Sequence, residues 1–177
     1  LDLHAREIRR YDADWKLVTT FGGLELVNPI DIEWDPVGGR LLVSDAIAQD
    51  SWDNPFGRVL AFSGNEPSPT VLVDELDYPT GIGVRADGGF YVSDRVRHRV
   101  HRFDAGGKHL HSWGSKGIGR TQLFQPRDVE VDEEGRVLVV DHGNHRLMVF
   151  DEGGAFLEVF GPRLYTREAR LGEGGGR

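Results

Sequence analysis

The sequence predicts an all-β fold: four-stranded antiparallel sheets repeated side by side in an incomplete ring of about 3.5 units. Three observations carry this. Pro29, Pro79 and Pro126, separated by 50 and 47 residues, each precede an alternating apolar run. Each run is followed by an Asp- and Gly-containing turn and a second apolar run that closes on Asp45, Asp94 or Asp141. A third run, opened by Arg58, Arg99 or Arg146, then leads to a fourth. Period-2 alternation broken by Asp/Gly turns is the pattern of strand-turn-strand units.

In chain order, residues 2–21 hold a third and a fourth strand alone, because Asp2 to Asp12 has the ten-residue spacing of Asp94 to Asp104 and Asp141 to Asp151. Complete units follow at 29–75, 79–114 and 126–161, and residues 162–177 form a linker or tail. In the first complete unit, IDIEW (30–34) and RLLVSD (40–45) are the inner strands, and RVLAFS (58–63) and VLVD (71–74) the outer ones. The second unit repeats this with TGIGV, FYVSD, RVHRFD and HLHSWG; the third with RDVEV, VLVVD, RLMVFD and FLEVFG. Four short strands in about 45 residues is the period of propeller blades.

The run Val139-Val140-Asp141-His142-Gly143-Asn144-His145-Arg146, with Phe150-Asp151 beyond it and Gln125-Pro126 before the first strand, resembles the NHL repeat. The resemblance extends over residues 2–161 and is densest at 122–161. It implies a six-bladed propeller, sometimes five- or seven-bladed, needing about 270 residues for six. The pairs Trp34-Asp35 and Trp52-Asp53 close no third strand, so the WD40 pattern fits less well. Since both ends break inside the repeat, the sequence predicts that further blades, from a longer chain or from a second copy, complete the ring.

Composition narrows the function. The formal charge of -8 disfavours a generic nucleic-acid or anionic-membrane surface. With no cysteine there is neither a disulfide nor thiolate chemistry. No stretch of about 18 apolar residues offers a membrane span, and LDLHAREIRR lacks the apolar core of a secretory signal. The compartment of this soluble-type sequence stays undetermined.

Candidate sites fall into three groups. Asp45, Asp94 and Asp141, with Arg58, Arg99, Arg146 and Asn144, are expected to build the corner between second and third strands, the carboxylate accepting backbone N–H groups and the Arg either pairing with it or packing along the blade. Asp31, Glu33, Asp128 and Glu130 alternate along first strands that line a propeller's channel, although Gly81 and Gly83 fill the same slots in the middle unit. An acidic channel suits calcium, a hard ion with oxygen ligands; no other cofactor is called for. An eight-residue insertion at 46–57 places Trp52, Asp53, Asn54 and Phe56 on the face that carries the corners, with Arg95 and His142 as further contact residues. His142 and His145 form an H-x-x-H on a turn, a poor metal site. His101, His109 and His111 are expected to be exposed on outer strands.

The leading functional reading is a non-catalytic scaffold that binds a protein or small ligand through loops on one face. The alternative, which the resemblance implies, is a metal-dependent hydrolase or lyase of the six-bladed type using the channel acids; no catalytic motif matches residue by residue, so catalysis is the weaker reading.

Overall fold

The computed structural model describes residues 1–46, 57–64 and 68–161; the insertion residues Trp52, Asp53, Asn54 and Phe56 lie outside them. Strands β1 (Glu7–Tyr11) and β2 (Leu17–Gly22) form a two-stranded sheet, the outer half of a blade. Blade I consists of β3 (Pro29–Asp35), β4 (Arg40–Ala46), β5 (Gly57–Ser63) and β6 (Thr70–Leu76). Blade II consists of β7 (Pro79–Val84), β8 (Phe90–Asp94), β9 (Arg99–Phe103) and β10 (His109–Trp113), and blade III of β11 (Asp128–Val131), β12 (Val137–Asp141), β13 (Arg146–Phe150) and β14 (Phe156–Phe160). Among the described residues every strand pair is antiparallel and sequential, and the arc they form does not close. Among the described residues, no helix is long and apolar enough to cross a membrane.

The core is a row of interfaces between neighbouring sheets. Ile8, Phe21, Val43, Leu60 and Phe62 bury the half-blade against blade I. Leu42, Val59, Ile82, Phe90 and Val92 join blades I and II, and Tyr91, Val100, Val129, Val139 and Met148 join blades II and III. Alternation explains the arrangement: Leu42 and Val43 are neighbours on one strand, yet they serve opposite interfaces. Gly81 permits a close approach of two inner strands. A Cβ there would stand 2.6 Å from the Asp128 Cα, so no side chain fits between these inner strands.

Turns within blades repeat one device. Asp104 Oδ1 accepts N–H bonds from Gly106 (2.9 Å) and Lys108 (2.9 Å), and Asp151 does the same for Gly153 and Ala155.

The corners repeat another. Asp45, fully buried, accepts N–H bonds from Val27 and Asn28 (Oδ1, 3.1 and 2.7 Å) and two from Arg58 (Oδ2, 3.0 and 2.7 Å); Arg58 also donates to the Glu25 carbonyl at 2.7 Å. Asp141, equally buried, accepts from Phe124 N at 2.6 Å, Asn144 Nδ2 at 2.7 Å and Arg146 Nε at 2.7 Å. Arg146 also donates to the carbonyls of Ile118, Gly119 and Gln122. The carboxylate thus ties the corner to the segment entering the blade, and the Arg clamps that segment.

Blade II keeps the acid's role but not the Arg pairing. Asp94 accepts from the N–H groups of Asp77, Tyr78, Val96 and Arg97, but Arg99 does not pair with it. The Arg99 side chain makes no hydrogen bond or ion pair among the described residues, and its Nε is buried without an acceptor. The reason is the entering segment. Only Asp77 and Tyr78 separate β6 from β7, whereas residues 114–127 separate β10 from β11, so carbonyls like those of 118–122 do not exist for Arg99. His101 comes nearer, with Nε2 at 3.8 Å from Asp94 Oδ2. His101 is therefore largely buried, its side chain 14% exposed, where sequence alone suggested an exposed residue.

The contrast is measurable by chemical denaturation. Arg146→Met removes a charge that offsets a buried carboxylate and is expected to cost about 3 kcal/mol or more. Arg99→Met should lie within about 0.5 kcal/mol of the parent or stabilise it.

Candidate functional site

Two places gather polar groups that the scaffold does not consume. The first is the inner-strand surface. Asp31 and Glu33 on β3, and Asp128 and Glu130 on β11, flank Gly81 and Gly83 of β7, and the missing side chains bring acids of alternate blades within electrostatic range. Asp31 Oδ2 accepts from Ile82 N at 2.9 Å, but burial, reinforced by Asp128, still raises its pKa. Burial raises Glu33 as well, with Asp31 and Asp128 adding repulsion. Glu130 is raised to about 7 by burial and then by Glu33, Asp128 and Asp31. Among the described residues, no three His, Asp or Glu side chains group closely enough to hold a metal ion. The four acids form a repelling array rather than a preassembled cage.

The second place is the corner face between blades II and III. A cavity of about 200 Å³ is lined by Tyr78, Arg95, Val96, His98 and Gln125. Arg95 follows Asp94 directly; its N–H donates to the Tyr78 carbonyl at 3.0 Å, and its guanidinium lies 5.7 Å from the Tyr78 ring centroid. His98 Nδ1 accepts from Gln125 N at 3.0 Å, and its ring packs 5.3 Å from that of Phe124. Burial, with the positive charge of Lys116, lowers the His98 pKa. His98 (φ 56°) and Gln125 (φ 51°) both adopt the left-handed conformation, uncommon for residues other than glycine. His142, on the separate cavity at the open side of blade III, is exposed, its pKa lowered by desolvation and then by Arg127, His145 and Arg95. Neither Arg95 nor Arg127 makes a salt bridge among the described residues, whereas Arg97 is engaged by Asp77.

Of the contact residues named from sequence, Arg95 lines the cavity between blades II and III and His142 lines another, with Val140, His145 and Phe160. Tyr78 and Gln125 were missed. Each immediately precedes a repeat proline, Pro79 or Pro126, and that equivalence was the available signal. A Ser112-centred network also escaped notice, in which Ser112 Oγ lies 2.9 Å from His101 Nδ1 and 2.7 Å from His109 Nε2.

These features define an NHL-type β-propeller segment. The NHL repeat family model matches residues 76–103 and 125–150. The chain is similar in structure to a chain of a nidogen/laminin complex (TM-score 0.72, 19% identity, 91% of this chain and 57% of that one). It is similar as well to virginiamycin B lyase from Staphylococcus aureus (0.68, 13%, 91% and 50%) and to regucalcin, a calcium-binding protein from Agrobacterium tumefaciens (0.56, 16%, 74% and 44%). At these identities the likeness concerns the fold. The chain thus spans between 44% and 57% of the length of these three structures. No curated protein matches it in sequence.

The inner acids carry a pH signature. The folded state holds the Glu130 proton more tightly than the unfolded chain, whose value is near 4.5. Its favourable contribution is therefore complete below pH 4.5 and is lost as pH rises through about 7. Because Glu130 is partly exposed, solvent screening keeps the effect small. Melting temperatures of Glu130→Gln against the parent should show the variant gaining on the parent between pH 4.5 and pH 7.

Proposed function

We propose that this chain is a binding platform, an NHL-type propeller scaffold that engages a protein or small ligand through its corner face. The observation that carries this reading is a division of charge. Asp45, Asp94 and Asp141 are saturated by internal donors, while Arg95 on the cavity and the exposed Arg127 have no acid partner among the described residues. Cations left unpaired beside a concave pocket on a rigid frame are suited to recognition. The nidogen structure is of a complex with laminin, an instance of this fold engaging a protein. The apolar sheet faces at the two ends, with Ile32, Trp34 and Leu41 at one and Val140, Leu147 and Phe160 at the other, suit cover by further blades of a longer chain or a second copy. The combined variant Arg95→Glu/His142→Glu should abolish crosslinking to partners in the native source, while Glu133→Arg/Glu134→Arg, on a turn within blade III, leaves it intact. Equal crosslinking by both variants would end this reading.

The second reading, a metal-dependent hydrolase or lyase, is favoured by the convergence of Asp31, Glu33, Asp128 and Glu130 and by the calcium-binding and lyase neighbours. Calcium would lower the acids' pKa values and relieve their repulsion. Calorimetric titration of the parent should then give saturable heat that Glu33→Gln/Glu130→Gln removes; millimolar calcium without heat or thermal shift rules the reading out.

A further inference from the structure

We propose that the pocket bounded by Tyr78, Arg95, Val96, His98 and Gln125 binds a carboxylate, presented by an acidic peptide side chain or by a small free acid. The inference rests on the corner-face reading and names the chemistry that this face selects.

Donors and charge point to it. Among the described residues, the lining contains no Asp or Glu. Arg95 supplies a planar fork of N–H donors, the geometry that a carboxylate accepts in two parallel bonds. Packing against Tyr78 holds the guanidinium stem and restricts its motion. The His98 tautomer is fixed by its neighbour: Nδ1 accepts the Gln125 N–H, so the neutral ring carries its proton on Nε2 and offers a second donor. Tyr78 and Gln125 add a hydroxyl and an amide whose side chains make no hydrogen bond among the described residues.

The charge balance separates carboxylate from phosphate. The lowered His98 pKa keeps that ring neutral near pH 7, so Arg95 is the one formal charge on the lining. One positive charge on the lining itself balances a monoanion, whereas a phosphate dianion would also have to draw on Lys116, which acts on His98 from outside the lining. An extended nucleic-acid backbone would need a row of cations, against a chain of net charge -8. A volume of about 200 Å³ admits a carboxymethyl or carboxyethyl group and leaves the rest of a peptide outside, near Arg127 and His142.

The test is amide chemical-shift titration of the 177-residue chain. Probes are N-acetylglutamate methylamide, an acetylated Gly-Glu-Gly peptide amide, their glutamine twins and inorganic phosphate. Both carboxylates should move the amides of Arg95, His98 and Gln125 saturably, and the glutamine twins should not. Arg95→Met should weaken the response about tenfold or more, and Arg95→Lys, which keeps charge without the fork, should recover part of it. Equal response to the small acid and the peptide assigns the site to free acids; a tenfold preference for the peptide assigns it to protein partners. Shifts caused equally by the glutamine twins, shifts unchanged in Arg95→Met, or stronger saturation by phosphate would overturn the proposal. If carboxylates fail while charge reversal at Arg95 still abolishes crosslinking, the ligand class falls and the platform reading stands; if neither has an effect, both fall.

Discussion

The buried corner carboxylate is the constraint on which the rest of the structure depends. Each blade must turn from its second to its third strand while receiving the chain from the previous blade. Both passages expose backbone N–H groups in a place that neighbouring blades seal from water, where an unpaired donor is costly. One Asp per corner meets both needs. Asp45 reaches Val27 and Asn28, and Asp94 reaches Asp77 and Tyr78, each 16 to 18 residues upstream. The bond is intrinsically long-range, and it locks the entry of a blade to its centre. In blade II four backbone donors replace the Arg: burial would raise the Asp94 pKa, yet His101 and these donors hold it below the usual value.

That replacement changes the meaning of the repeat Arg. In blades I and III, Arg58 and Arg146 clamp a long entering segment through its carbonyls. In blade II that segment shrinks to Asp77 and Tyr78, and the Arg loses its employment. The same shortening brings Tyr78 under Arg95 and opens the corner toward Gln125 of the next blade. The candidate pocket is thus a by-product of linker length: where the link is long, its own backbone fills the corner.

The fold was legible in the sequence because a propeller is periodic. Prolines, turn acids and corner acids recur at nearly fixed spacing, and period-2 alternation assigns faces without knowledge of distant contacts. The site was only partly legible. Arg95 and His142 stand out as non-repeating residues at repeating corners, but the partners of Arg95 come from the blade entry before it and the blade after it, and spacing does not report which of them meet. Arg99 shows the converse limit. The repeat left open whether the Arg pairs with the corner acid or packs along the blade, and a two-residue link decides between them. The inner acids could be placed on their strands, yet the repulsion between Glu33 and Glu130 depends on Gly81 and Gly83 letting alternate blades approach.

An acidic chain with a cationic corner is not a contradiction, because the acids are spent locally. Asp35, Asp104, Asp132 and Asp151 cap their own turns, and the corner acids are enclosed. At physiological salt the screening length is about 8 Å, so a group arriving at the corner responds to the nearest charges and not to the net charge of the molecule. At this corner those are Arg95 itself, Lys116, which acts on His98, and Arg127, which with Arg95 acts on His142. The distant acids act earlier, during approach, when they repel polyanions and favour partners whose negative charge is small and local. Selectivity at this face therefore follows from two scales of one charge distribution: the whole chain discourages extended anions, and the corner retains a single well-oriented guanidinium for the isolated anion that gets through.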